Sequence, residues 1–231
     1  MLARDWYYNQ RRRLGLDRAV MALCDHDDDS DLRARAALSM LGVKKGWRVA
    51  DIGCGNGVFA CEAALMGAEV DAIDISPAML TLAELHARNR RAPIRTRSSG
   101  LLSFAYEPNS YDLIVSEFTL HHLPDFWKAV ALSRIYDALK PGANFYLRDI
   151  VFVSMPDGCE RDVDQWADFS IKNHDFARDS VVAHMRDEYS TFGWVMERML
   201  TEVGFTLVSA DYHAPMHGTY LLQKPKSDAQ S

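Results

Sequence analysis

Asp51-Ile52-Gly53-Cys54-Gly55-Asn56-Gly57 is the stretch on which the reading of this chain turns. It follows a short apolar run at residues 47–52 (WRVADI), which reads as a buried strand. It precedes an apolar segment at residues 58–66, which reads as a helix closed by Gly67. Three glycines between a strand and a helix let the backbone turn sharply and let a ligand approach closer than a Cβ permits. In open α/β sheets the binding crevice lies at the carboxyl ends of the strands, where this loop falls. The spacing is not that of a dinucleotide fingerprint: the third glycine comes one residue early, with Val58 in the place the phosphate loop requires, and no P-loop lysine is present.

Outward from the loop, strand-like and helix-like runs alternate. Residues 69–75 read as a second strand, and Ser76-Pro77 as the N-cap and first turn of a helix to about Asn89. Residues 94–97 form a weak third strand and residues 111–117 a fourth. Pro124-Asp125 starts a helix over 126–139, stopped by Lys140-Pro141-Gly142, and residues 144–152 form a fifth strand. Ser190 or Thr191 caps a last helix ending near Gly204. Two strands joined without a helix, 205–211 and 218–224, close the chain, so one of them runs antiparallel. The pattern predicts an α/β, Rossmann-like three-layer sandwich around a seven-stranded, mostly parallel sheet with its last strand antiparallel. Two segments break the rhythm: a helical N-terminal lid at 1–40 and an inserted cap at 153–190. All belong to a single domain, and the acidic 25–31 region reads as a solvated loop.

Within this frame Asp74 stands out. A carboxylate ending the second strand can accept hydrogen bonds from both hydroxyls of a ribose. It interrupts an apolar run (Val70, Ala72, Ile73, Ile75), where an idle charge is costly. The ordered segments DIGCGNG, AIDIS, YDLIVSEFTLHHL and LKPGA before FYLRD resemble the motifs of the class I S-adenosylmethionine-dependent methyltransferases, closest to the small-molecule branch that includes ubiquinone/menaquinone biosynthesis. The resemblance implies S-adenosyl-L-methionine as cofactor and S-adenosyl-L-homocysteine as product. It implies that Gly53, Cys54, Gly55 and Gly57 pass beneath the methionine part, that Asp51 orients the loop or the amino group, and that Asp74 holds the ribose with Ile75 against the adenine. Ser99, Gly100 and Leu101 match the adenine edge, though the acidic residue common there is replaced by serine, and Glu117 starts the segment flanking sulfonium and acceptor.

Methyl transfer is an in-line displacement in which alignment supplies much of the rate. A base is needed only for an acceptor with a proton to lose, and histidine suits that task. His121 is the first candidate and Asp149 the second. Adjacent histidines are poor metal spacing, and no paired cysteines or carboxylates complete a set, so no metal is expected. Acceptor contacts are sought at Tyr8, His122, Arg186 and Tyr189. They lie among the aromatics Trp6 and Tyr7 and the polar 184–194 segment, with Lys172 as a second cation for an anionic group.

Composition narrows the field. The chain has 231 residues, 48% hydrophobic and 25% charged, with a formal charge of −6, which argues against a general nucleic-acid binder. The run Arg11-Arg12-Arg13 reads as a solvated helix face. Four cysteines without pairing pattern (Cys24, Cys54, Cys61, Cys159), no signal-like apolar run and no 18-residue apolar stretch point to a cytoplasmic monomer or homodimer with no membrane or nucleic-acid partner. The alternatives are a nucleic-acid or protein methyltransferase, disfavoured by Ser116-Glu117-Phe118-Thr119 in place of an Asn/Asp-Pro-Pro-aromatic tetrad, a non-methylating cyclase or decarboxylase on the same fold, and a nicotinamide oxidoreductase.

Overall fold

A computed structural model describes residues 28–174, 178–213 and 216–226. The central sheet comprises β1 (Arg48–Ile52), β2 (Glu69–Asp74), β3 (Ile94–Ser98), β4 (Tyr111–Glu117), β5 (Leu139–Phe152), β7 (Thr206–His213) and β8 (His217–Gln223), with a two-residue β6 (Thr191–Phe192) paired to the end of β5. Their order is β3-β2-β1-β4-β5-β8-β7. β1 to β5 pair in parallel, and β8 runs antiparallel to both β5 and β7, so the last strand is the reversed one. Seven helices are described: α1 (Asp28–Met40), α2 (Val58–Leu65), α3 (Pro77–Arg90), α4 (Asp125–Ala138), α5 (Cys159–His174), α6 (Arg178–Asp187) and α7 (Gly193–Val203).

Strand residues alternate faces, and the two sets enter different cores. Ala50, Ile52, Ile114, Phe145 and Leu147 pack with Ala131, Leu132 and Ile135 of α4 and Met196 and Leu200 of α7. Val49, Leu113, Val115 and Tyr146 pack with Leu38 of α1, Phe59 and Ala63 of α2 and Leu80 of α3. Helices thus cover both faces, the three-layer arrangement expected. A third, smaller cluster joins Ile150 of β5 to Trp166 of α5, Val181 of α6 and Met216. It holds the α5–α6 pair against the carboxyl end of the sheet.

Local signals explain most element ends. Ser76 caps α3, its Oγ accepting from the Met79 N–H at 3.4 Å, with Pro77 in the first turn. Gly204 ends α7 at φ +113. Three expectations are corrected. Of the expected 25–31 loop, residues 25–27 lie outside the described residues, and 28–31 are not loop but the first turn of α1, where Asp31 pairs with Arg90. Lys140-Pro141-Gly142 does not separate α4 from its strand: β5 begins at Leu139 opposite Tyr111, and the extra residues are absorbed before Leu113 pairs Asn144. Neither Ser190 nor Thr191 caps α7, because Phe192 holds that position without a side-chain bond and Thr191 Oγ1 donates to Asp125 instead.

Candidate active site

The glycine loop joins β1 to α2 and is hung from β2: the Gly53 and Cys54 N–H groups both donate to the Ile73 carbonyl, at 2.8 and 3.0 Å. Gly53 and Gly57 take φ +77 and +82, and each is locked by a neighbour. A Cβ on Gly53 would lie 2.0 Å from Thr119 Oγ1, and one on Gly57 2.8 Å from Ala83 Cβ. At Gly55 a Cβ would meet nothing within 4 Å, so this is the open part of the loop. Two carboxylates brace it. Asp51 Oδ2 accepts from the Ala60 N–H at 3.1 Å, and Asp74 accepts from the Gly55 N–H at 3.0 Å and the Ser76 N–H at 2.8 Å. Cys54 turns its thiol into the core beneath, so the loop offers backbone there rather than sulfur.

Asp51, Asp74 and Glu117 end three adjacent strands and feel one another. Burial pushes Asp51 up to about 8, with Glu117 and Asp74 adding to the rise against the Ala60 N–H. Burial also raises Glu117, opposed by Arg148 and Arg33. Beside Asp74, the crossover after β3 brings Gly100 to Ile75: a Cβ on Gly100 would stand 3.6 Å from Ile75 Cδ1. The Ser99 N–H donates to the Asp74 carbonyl, and Ser99 Oγ and the Gly100 N–H both meet Ser103 Oγ. Leu101 is a core residue packed with Ile73, so its side chain supports the site from below.

At the end of β4 the chain bends sharply. Phe118 sits at φ +51, a left-handed conformation costly for a bulky residue and concentrated at functional sites. Its N–H is held by the Arg148 carbonyl, and the Arg148 guanidinium lies over its ring. The bend delivers His121 to Asp149, which is fully buried on β5. Asp149 Oδ2 accepts the His121 N–H at 2.9 Å, and Oδ1 stands 2.5 Å from His121 Nδ1 and accepts from the Ile150 N–H. His121 and Asp149 are therefore one unit, with Arg148 on the other face, as strand alternation requires.

The outward nitrogen of His121 meets a residue that sequence reasoning did not single out. Glu188, one turn after His184, places Oε2 2.9 Å from His121 Nε2, 2.8 Å from His184 Nδ1 and 3.3 Å from His122 Nδ1. The His184 ring packs against Trp166, at 4.6 Å between centroids. Burial opposes charge on His121, yet Asp149 and Glu188 hold its pKa at about 9. Burial likewise pushes Glu188 up, and the facing imidazoles of His122, His121 and His184 hold it well below the usual carboxylate range. Chain spacing gives the histidine pair no carboxylate, but the fold supplies Glu188 from a distant segment. The i,i+4 pairing of His184 and Glu188 was the available signal.

The remaining acceptor candidates diverge. Tyr189 donates its N–H to the His121 carbonyl at 2.7 Å, while its side chain is exposed. Arg186 is exposed and forks onto neighbouring Asp187, away from the cluster, and Lys172 is exposed on α5. Tyr8, with Trp6 and Tyr7, lies outside the described residues. Cys54, Cys61 and Cys159 are free thiols. Among the described residues no helix is long and apolar enough to cross a membrane.

Comparison with known proteins agrees with this geometry. Residues 49–142 match the family model described as a methyltransferase domain. The chain is 33% identical over 103 residues to the ubiquinone biosynthesis O-methyltransferase of Xanthomonas euvesicatoria pv. vesicatoria, covering 44% of this chain and 42% of that protein. It is also 33% identical over 106 residues to that of Azotobacter vinelandii, covering 46% and 45%. It thus spans less than half the length of these relatives. Among solved structures, phosphoethanolamine N-methyltransferase 2 of Haemonchus contortus, in complex with S-adenosyl-L-methionine, superposes with TM-score 0.65 at 19% identity over 84% of this chain and 52% of that one. The [4+2]-cyclase SpnF superposes with TM-score 0.67 at 15% identity over 85% and 81%. Residues 49–142 thus match a methyltransferase domain, and the chain shares the fold of S-adenosylmethionine-dependent methyltransferases of known structure.

Proposed function

We propose that this protein is an S-adenosyl-L-methionine-dependent methyltransferase acting on a small molecule. The observation that carries the reading is the acidic lining of the glycine loop. Asp51, Asp74 and Glu117 gather at the strand ends, and burial, with Glu117 and Asp74 adding to it, raises Asp51. Such a lining suits a ligand with sulfonium and ammonium groups and a ribose diol, and it repels the diphosphate of a dinucleotide. The open side of Gly55 leaves room for a ligand against bare backbone.

Bound there, the cofactor supplies an electrophilic methyl group with a neutral thioether as leaving group. Asp74 holds the ribose side while bracing the loop through Gly55 and Ser76. Ile75 and the Ser99–Leu101 turn flank the base. Asp51 orients the loop or the amino group, and Glu117 flanks the sulfonium. We assign activation of the acceptor to His121, whose ring is fixed by Asp149, with His122 and Tyr189 beside it. The α5–α6 pair over the strand ends serves as a cap that keeps water out, and fixed alignment in such a site is worth roughly 7–11 kcal/mol. An acidic chain and free cysteines favour a small-molecule acceptor in a reducing, cytoplasmic setting.

Calorimetric titration with S-adenosyl-L-homocysteine and with NAD tests this directly. Binding of the nucleoside thioether and not of the dinucleotide is expected, and the reverse result would overturn the reading. Mass spectrometry of cell extract incubated with the protein and methyl-labelled cofactor then identifies the acceptor. Bound cofactor with no labelled product would favour a non-methylating enzyme.

A further inference from the structure

We propose that His121 Nε2, His184 Nδ1 and Glu188 Oε2 form a binding site for a first-row divalent cation of the zinc type, at the seam between the end of β4 and the α5–α6 cap. The three donor atoms lie within 4.8 Å of one another. His122 Nδ1, 3.3 Å from the same carboxylate oxygen, stands ready as a further nitrogen donor.

Hydrogen bonding alone accounts poorly for this cluster. Glu188 Oε2 is buried and has three ring nitrogens within 3.3 Å, yet among the described residues it takes part in no hydrogen bond of acceptable geometry. A carboxylate oxygen has two in-plane lone pairs, so three donors oversubscribe it. His121 is the more constrained partner. Its Nδ1 lies 2.5 Å from Asp149, whose carboxylate is itself fixed by the His121 and Ile150 N–H groups, so Nε2 is the nitrogen that faces Glu188. At 2.9 Å from Glu188 Oε2, this nitrogen is bridged to it either by its own proton or by a cation that takes the proton's place. A cation satisfies all of these atoms together: ligands bound to it at about 2.0–2.2 Å stand roughly 3–3.5 Å apart, so small ring movements from the present 2.8 and 2.9 Å contacts to Glu188 would seat it.

The second shell has the form that metal-bound histidine takes. A buried carboxylate, Asp149, grips the nitrogen of His121 opposite the metal side and fixes tautomer and ring plane. Trp166 against the His184 ring supplies an apolar wall. Two imidazoles and one carboxylate suit zinc, iron, cobalt or manganese and disfavour calcium and magnesium, whose ligands are oxygens. With His121 Nε2 on the cation, activation of the acceptor passes from the ring to the open coordination position, which would take water or an acceptor oxygen and make its proton more acidic. That last role rests on the methyltransferase reading; cation binding does not.

The test is titration of the tag-free, chelator-treated full chain with Zn2+, and separately with Co2+, with no nucleoside present. One equivalent should bind, and the Co2+ protein should absorb in the visible with the intensity of a four- or five-coordinate nitrogen-ligated site. His184→Ala and Glu188→Gln should each weaken Zn2+ binding more than tenfold, and Asp149→Asn, one shell out, by about 10–100-fold. No binding, a weak octahedral Co2+ spectrum, or Zn2+ affinity unchanged in both ligand variants would overturn the site. Should a variant fail to fold, the Co2+ spectrum of the native protein decides. Failure of the methyltransferase reading would appear separately, as absence of S-adenosyl-L-homocysteine binding.

Discussion

Replacing Asp74 with alanine removes the acceptor for two backbone donors, the Gly55 N–H at 3.0 Å and the Ser76 N–H at 2.8 Å. Hydrogen bonds to a charged group contribute on the order of 1.5–3 kcal/mol each. The site is only half-buried, so water recovers part of that, and the net loss of stability should be about 1–3 kcal/mol. In a chain of this length each kcal/mol lowers Tm by about 2–4 °C, giving a fall of roughly 2–12 °C. The loss in cofactor binding should be distinct and larger in relative terms. With the loop unbraced and the ribose deprived of its carboxylate, dissociation constants should rise at least tenfold, or about 1.4 kcal/mol. Asp74→Asn separates the two effects: one carbonyl oxygen still accepts from one amide, so Tm should recover in part, whereas the charge that favours the diol is gone. Differential scanning calorimetry gives the first quantity and isothermal titration with S-adenosyl-L-homocysteine the second. An Asp74→Ala protein that folds and binds the nucleoside as tightly as its parent would refute the assignment of this carboxylate.

Three further outcomes follow from the same geometry. Gly53→Ala, at φ +77 with Thr119 Oγ1 2.0 Å from the new Cβ, should abolish nucleoside binding in whatever protein remains folded; adding Thr119→Ala should restore folding in part but not affinity, as thermal melts and titration will report. Asp51, raised to about 8 from an ordinary 3.8, favours the protonated folded form, so the stability it contributes is complete below about pH 4 and drains away as pH rises toward 8. Asp51→Asn keeps the acceptor for Ala60 and should lose stability less steeply over that window in urea melts, and superimposable pH profiles would contradict the burial argument. Lys128→Met empties a fully buried ammonium site whose Nζ bonds Asp125 at 2.8 Å and the Tyr189 carbonyl. The stranded carbonyl costs about 1–3 kcal/mol, and hydrogen exchange should quicken first in the segment that follows α6.

The sequence determined the layers, the strand ends and the glycine loop, because each is written in adjacent residues. Apolar runs of two periodicities, the Ser76-Pro77 start and three glycines before a helix are local statements, and Asp51, Asp74 and Glu117 fall at strand termini that the same pattern locates. Local chemistry misled where tertiary packing competes with it. The Lys140-Pro141-Gly142 turn signal is absorbed into β5 by pairing with β4, residues 28–31 form the first turn of α1 with Asp31 on Arg90, and Thr191 spends its hydroxyl on Asp125 rather than on a cap. The sequence offered His121 and Asp149 as separate candidates, and tertiary structure alone joined them to each other and to Glu188. His121 and Asp149 are 28 residues apart in the chain and become one unit because parallel strands β4 and β5 end side by side. Glu188 and His184 reach them only because Trp166, Val181, Ile150 and Met216 dock the α5–α6 pair on the sheet. No periodicity encodes that meeting, since its energy comes from burying apolar surface between segments distant in sequence.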